Sequence, residues 1–180
     1  MREELTELEQ CVIGVIWRDG PMTAYEVAAH FSASLSPYWS GSAGAIYPVV
    51  KRLRKRGLLR GVQRAWNGRR KSMLTTTPAG KASLRAWLRP PLPPEGGGTT
   101  FDPIRTRLFF INVLPADQRL AFIADAERAV NEQIRLNEEH RREEDARGDL
   151  LEALGALGVI LELKARRQWL RAVRKHLAVS

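Results

Sequence analysis

Apolar residues recur three and four apart along most of this chain, the spacing of one buried helix face. Leu5, Leu8, Val12, Val15 and Ile16 predict a first helix over Leu5 to Arg18, stopped by Asp19-Gly20-Pro21. Thr23-Ala-Tyr-Glu26 has the form of a capping box, in which the threonine hydroxyl and the glutamate three residues on satisfy each other's backbone amides. Ala24, Val27, Ala28 and Phe31 make the stripe of the short helix that follows. Ser32 to Gly41 breaks the pattern with serines, Pro37 and the aromatic pair Tyr38-Trp39. A third helix then places Ile46, Val49, Val50 and Leu53 on one face and turns Tyr47, Lys51, Arg54 and Lys55 elsewhere. Pro48 leaves its start open: near Tyr47, with the proline at the favoured first position, or near Ser42, with a kink.

Gly57 closes that helix, and the period changes. Leu58 to Trp66 and Arg69 to Thr76 flank Asn67-Gly68, a dipeptide that tolerates positive φ at both positions and predicts a two-residue hairpin. That register sets Val62 across from Met73 and Arg64 across from Lys71. Like charges facing each other are mildly destabilising, so a tip carrying Trp66, Arg69, Arg70 and Lys71 implies an anion over it. Thr77-Pro78 caps and opens a helix through Leu84 and Trp87-Leu88. The run Pro90-Pro-Leu-Pro-Pro-Glu-Gly-Gly-Gly-Thr-Thr100 is a linker, stiff at its proline end and loose at its glycine end. Beyond it Asp102-Pro103 opens a short apolar helix through Leu108, Phe109, Phe110 and Ile111. Pro115 opens a long one with Leu120, Ile123, Val130 and Ile134, and its end, Asn137 to Asp149, reads as a solvated stretch of mixed charge around a turn near Gly148. A last helix carries Leu150, Leu154, Leu157, Leu161, Leu170, Val173 and Leu177. Its apolar seam is wider than one partner helix covers, which predicts pairing with a second chain.

Charge sharpens this picture. Residues 1–89 hold 15 Lys and Arg against 6 Asp and Glu, residues 90–180 hold 14 of each, and the whole net charge of +9 therefore lies in the first half. Val27 to Pro94 contains no acidic residue and thirteen basic ones, ten of them between Lys51 and Lys71. A helix with one apolar face and a basic hairpin after it is a way of presenting charge to a phosphate polymer. The single Cys11 fits a reducing compartment, and the absence of a long apolar run fits a soluble, cytoplasmic, nucleoid-associated protein. His30, His140 and His176 are scattered, Gly96-Gly-Gly98 reads as linker, and Gly41-Ser-Ala-Gly44 lacks the spacing of a nucleophile elbow, so neither catalytic residues, a metal site nor a cofactor is expected.

Helix, helix, turn, helix, basic hairpin, helix is the order of a winged helix-turn-helix. The expected fold is mainly α, with a winged helix-turn-helix domain at 1–89, a Pro/Gly-rich linker at 90–101 and a helical dimerisation domain at 102–180. Ala24-Tyr-Glu-Val, Gly44-Ala-Ile-Tyr-Pro-Val-Val-Lys-Arg-Leu53, Arg56-Gly-Leu-Leu, Leu74-Thr and Pro78-Ala-Gly80 carry a closer likeness, and over residues 5–88 the chain resembles the PadR family of bacterial transcriptional regulators. The resemblance implies a homodimer that represses transcription from a palindromic operator in double-stranded DNA, relieved by a small planar or phenolic effector or another signal. It also implies a recognition helix that tolerates proline in its first turns.

Side-chain chemistry nominates the contacts. Ser40 and Ser42 beside a helix start, Tyr47 and Lys51 off the apolar face, Tyr25 at the start of the second helix, and Arg69, Arg70 and Lys71 on the wing are expected to meet DNA. Arg52, Arg54, Lys55 and Arg56 are expected to divide between solvent, the helix junction and DNA. Trp17 and Trp169 are the candidates for an effector site. Two other functions use the same features: a sequence-tolerant architectural nucleic-acid-binding protein, and an interaction module working through its C-terminal helices.

Overall fold

A computed structural model describes residues 4–40, 42–66, 69–91 and 102–178, without the side chains at 37, 43, 64–66, 69 and 70. The chain divides into two compact units, Met1–Gly98 and Thr99–Ser180.

In the first unit, α1 (Glu7–Asp19) starts later than its apolar spacing suggests, because Thr6 and Glu9 form a capping box of their own. The Glu9 amide donates to the Thr6 hydroxyl at 3.3 Å and the Thr6 amide to the Glu9 carboxylate at 3.1 Å. The expected box at Thr23 and Glu26 opens α2 (Ala24–Ser32), with bonds of 2.6 and 3.2 Å. The broken stretch after it contains one short helix, α3 (Pro37–Ser40), which the serines and Pro37 hid. A 3-10 turn at Ala43–Ala45 leads into α4 (Ile46–Lys55). The start thus falls between the two alternatives, and Pro48 occupies the third position of α4, in the first turn, where amides have no carbonyl of their own helix to reach. Gly57, at φ +72°, ends α4 by turning left-handed, and the Leu58 amide reaches back to the Leu53 carbonyl at 2.9 Å.

The hairpin is β1 (Leu59–Trp66) and β2 (Arg69–Thr76), paired antiparallel with Val62 opposite Met73 and Arg64 opposite Lys71, as the turn signal predicts. Asn67 and Gly68 themselves lie outside the described residues. Met22 bridges to Leu74, which adds the turn before α2 to the wing as a short third pairing. Thr77 caps α5 (Pro78–Leu88) by accepting from the Gly80 amide at 3.1 Å. Val12, Ile13, Ile16, Val27, Phe31, Ile46, Val49, Val50, Leu53, Leu59, Leu74 and Leu84 form one core. Each such side chain contributes about 1.5–3 kcal/mol on burial.

The second unit is purely helical among the described residues. Asp102 caps α6 (Pro103–Leu108) and also pairs with Arg166 at 3.0 Å, so one carboxylate both starts the helix and ties it down. The helix stops at Leu108 rather than running to Ile111, and Phe109 stands 80% exposed. A 3-10 turn at Ile111–Val113 precedes α7 (Ala116–Arg147), which Gly148 terminates before α8 (Leu150–Leu177). Arg174 meets Glu127 and Lys164 meets Glu138, which fixes α7 and α8 as an antiparallel hairpin. The stretch from Asn137 is not wholly solvated: Asn137 and Glu144 are buried, the first bonded to the Gln133 carbonyl and the second to Arg147. No described helix is long and apolar enough to cross a membrane.

Candidate nucleic-acid interface

The hydrophobic face of α4 decides which way its polar residues point. Ile46, Val49, Val50 and Leu53 are buried in the core with residues of α1 and α2, and that rotation turns Tyr47 and Lys51 outward, Tyr47 to 53% exposure. Tyr25 stands on the first turn of α2 at 71% exposure. Lys51, Arg54, Lys55 and Tyr47 on α4 share an open groove of about 650 Å³ with Leu59, Arg60 and Gly61 of β1 and with Ala24. The helix and the wing therefore bound one surface.

The α4 cations are not equivalent. Arg52 turns back and pairs with Glu9 of α1 at 3.0 Å, where the carboxylate is almost entirely buried. Burial pushes against the charged form of Glu9, but the Thr6 amide and the guanidiniums of Arg52 and Arg56 outweigh it, and its pKa lies below the ordinary value. Arg52 thus serves the junction between α1 and α4, and the charge of Arg56 acts on the same carboxylate.

On the wing, Lys71 is exposed and its charge acts on Glu26. The Glu26 pKa is lowered chiefly by the Thr23 amide, whose hydrogen bond it accepts in the capping box. Arg69 and Arg70 stand on β2 at its first two positions, and their side chains lie outside those described. Ser40, at the end of α3, and Ser42 both precede the 3-10 turn, and each hydroxyl donates to a carbonyl four residues back, Ser40 to Ser36 at 3.1 Å and Ser42 to Tyr38 at 2.8 Å. Either hydroxyl must rotate off that carbonyl before it can donate to a phosphate.

The tryptophans separate. Trp39 packs edge-on against Phe31 and Tyr38 beside the core. Trp17 is exposed on α1 in the first unit, and Trp169 is partly buried against the α7–α8 core in the second. Cys11 is half-buried, and burial pushes its thiol up to about 11. The surface is thus a basic, aromatic-studded helix and strand pair whose chemistry suits binding of an extended anion.

Residues 12–86 match the model of the transcriptional regulator PadR-like family. The negative transcriptional regulator PadR of Bacillus subtilis (strain 168) is 29% identical over 111 residues, covering 59% of this chain and 58% of the relative. The chain thus spans less than two thirds of that relative's length in the match. The crystal structure of Bacillus subtilis PadR in complex with operator DNA superposes with a TM-score of 0.82 at 21% identity, covering 97% of this chain and 99% of that one. The same protein in complex with p-coumaric acid gives a TM-score of 0.73 at 21% identity, covering 95% of each chain. At such identities the structures establish a shared fold, the winged helix followed by long helices. Over residues 12–86, the part that carries the winged helix, the chain is similar to the PadR-like family of transcriptional regulators.

Proposed function

We propose that this chain is a sequence-specific DNA-binding regulator that acts as a homodimeric repressor at a palindromic operator. The observation that carries the reading is the outward face of α4, where Tyr47 and Lys51 stand beside a basic wing in a stretch, Val27 to Pro94, that has no acidic residue. A helix of this width enters the major groove while the hairpin follows the adjoining backbone. Tyr25, Tyr47 and Lys51, with Arg69, Arg70 and Lys71 of the wing, are the proposed contacts, and Ser40 and Ser42 join them by rotating their hydroxyls.

Residues 1–89 serve as the DNA-binding domain, 90–101 as the linker and 102–180 as the dimerisation domain. The dimer is supported by the side chains that α8 leaves bare: Leu150 at 65% exposure, Leu154, and Leu161 at 59%. An apolar row of this length on a single chain is what a second copy covers. Repression is supported by the name of the curated relative, and a phenolic effector by the p-coumaric acid complex of Bacillus subtilis PadR. Trp17 in the first unit and Trp169 in the second are each proposed, separately, as an effector contact.

Footprinting on the DNA upstream of the chain's own coding sequence tests the reading. Two protected half-sites in inverted repeat, about 34 Å or a multiple of it apart, are expected for a two-fold dimer. Protection without symmetry, spreading evenly along the duplex, would instead identify an architectural binder.

A further inference from the structure

The ten basic residues between Lys51 and Lys71 look alike in sequence, but the described part of the structure sorts those on and just after α4 into two sets. Arg52 and Arg56 both act on the buried Glu9 carboxylate. Lys51, Arg54 and Lys55, together with Arg60 on β1, line the groove between helix and wing instead. All four are exposed, and among the described residues none of them has an acidic partner within ion-pair distance. Four cations brought together without a counter-charge repel one another, a cost that an anion in the groove removes.

The groove is shaped for that anion. Its floor is Gly61, and a Cβ there would stand 3.2 Å from a terminal nitrogen of Arg54 and 2.8 Å from the Ser72 hydroxyl. The missing side chain lets the Arg54 guanidinium lie down on β1 rather than project into solvent. A flat guanidinium offers paired N–H donors to a phosphodiester, and Lys51, Lys55 and Arg60 surround it as point charges or a second fork. Tyr47 also lines the groove and brings a phenolic hydroxyl to it.

We infer that this groove is a backbone-phosphate clamp, in which Arg54, Lys55 and Arg60 grip the duplex beside Lys51 while Arg52 stays with Glu9. The assignment rests on the DNA-binding reading above and extends it to three residues that periodicity cannot separate from their neighbours. Phosphate contacts carry no sequence information, so the clamp adds affinity and register to every duplex equally.

The test is a salt series of fluorescence anisotropy with the full chain, using the upstream duplex and an unrelated one. The Arg54→Ala/Lys55→Ala/Arg60→Ala variant is compared with wild type and with Lys71→Ala, and circular dichroism checks that each is folded. The expected result is a plot of log K against log salt that flattens by about 1 for each phosphate no longer neutralised, to the same extent on both duplexes. Restoring charge with Arg54→Lys and Arg60→Lys should recover most of the slope. A triple variant with the wild-type slope, while Lys71→Ala still flattens it, would overturn the clamp and leave the DNA-binding reading in place. Wild type binding neither duplex at any salt would remove both.

Discussion

Glu9 has a role that apolar spacing does not reveal. It lies between the predicted apolar positions Leu8 and Val12, yet it is 4% exposed and holds the start of its own helix and the side of α4 together. Arg52→Ala should strip that buried carboxylate of a charged donor and cost about 1–3 kcal/mol in urea unfolding at pH 7. The pH dependence follows from sign. A carboxylate whose folded pKa is lowered contributes stability fully above its unfolded value of about 4.5, and the contribution fades as pH falls through the folded value. Glu9→Gln should therefore flatten the acid limb of the stability profile; an unchanged limb would place that pH dependence on other carboxylates. Cys11 gives a second residue-scale expectation. With its thiol held up to about 11, it stays protonated at neutral pH and should resist iodoacetamide in the native protein, reacting rapidly only after unfolding. Fast alkylation of the folded chain would contradict that environment.

At the scale of elements, α4 concentrates the argument. Its proline has no intrahelical hydrogen bond to forfeit at the third position, so Pro48→Ala should change stability by less than about 1 kcal/mol, against the roughly 3 kcal/mol that an interior proline costs. A large gain in Tm on that substitution would mean that α4 is strained after all. The elements legible in sequence were those with both an apolar period and a terminal signal. The box at Thr23, the cap at Thr77, the four buried residues of α4 and the hairpin register are all of this kind. Less legible were features set by tertiary packing. The stop of α6 at Leu108, the short α3 and the burial of Asn137 and Glu144 depend on neighbours distant in the chain or on single side-chain bonds. The division of the α4 cations belongs with them, because a helical period says which face is apolar but not which arginine will find a buried carboxylate.

For the whole molecule, the two units pose separate problems that one function must join. The first holds nearly all of the chain's excess of positive charge, 15 Lys and Arg against 7 Asp and Glu, beside an outward-facing helix, and the second leaves a leucine row uncovered on α8. If a second copy covers that row, sedimentation should give twice the chain mass, and Leu154→Glu with Leu161→Glu should halve it without unfolding either unit. A monomeric wild type would contradict the dimer. A dimer joined in this way would set two recognition helices on one inverted repeat, and its selectivity would exceed what charge alone provides. The measurement closest to that claim is anisotropy binding of the intact protein to its own upstream DNA and to a shuffled duplex across a salt series. Binding to the upstream duplex tighter by roughly a thousandfold or more is the predicted result. Equal affinity for the two duplexes, collapsing together as salt rises, would contradict it.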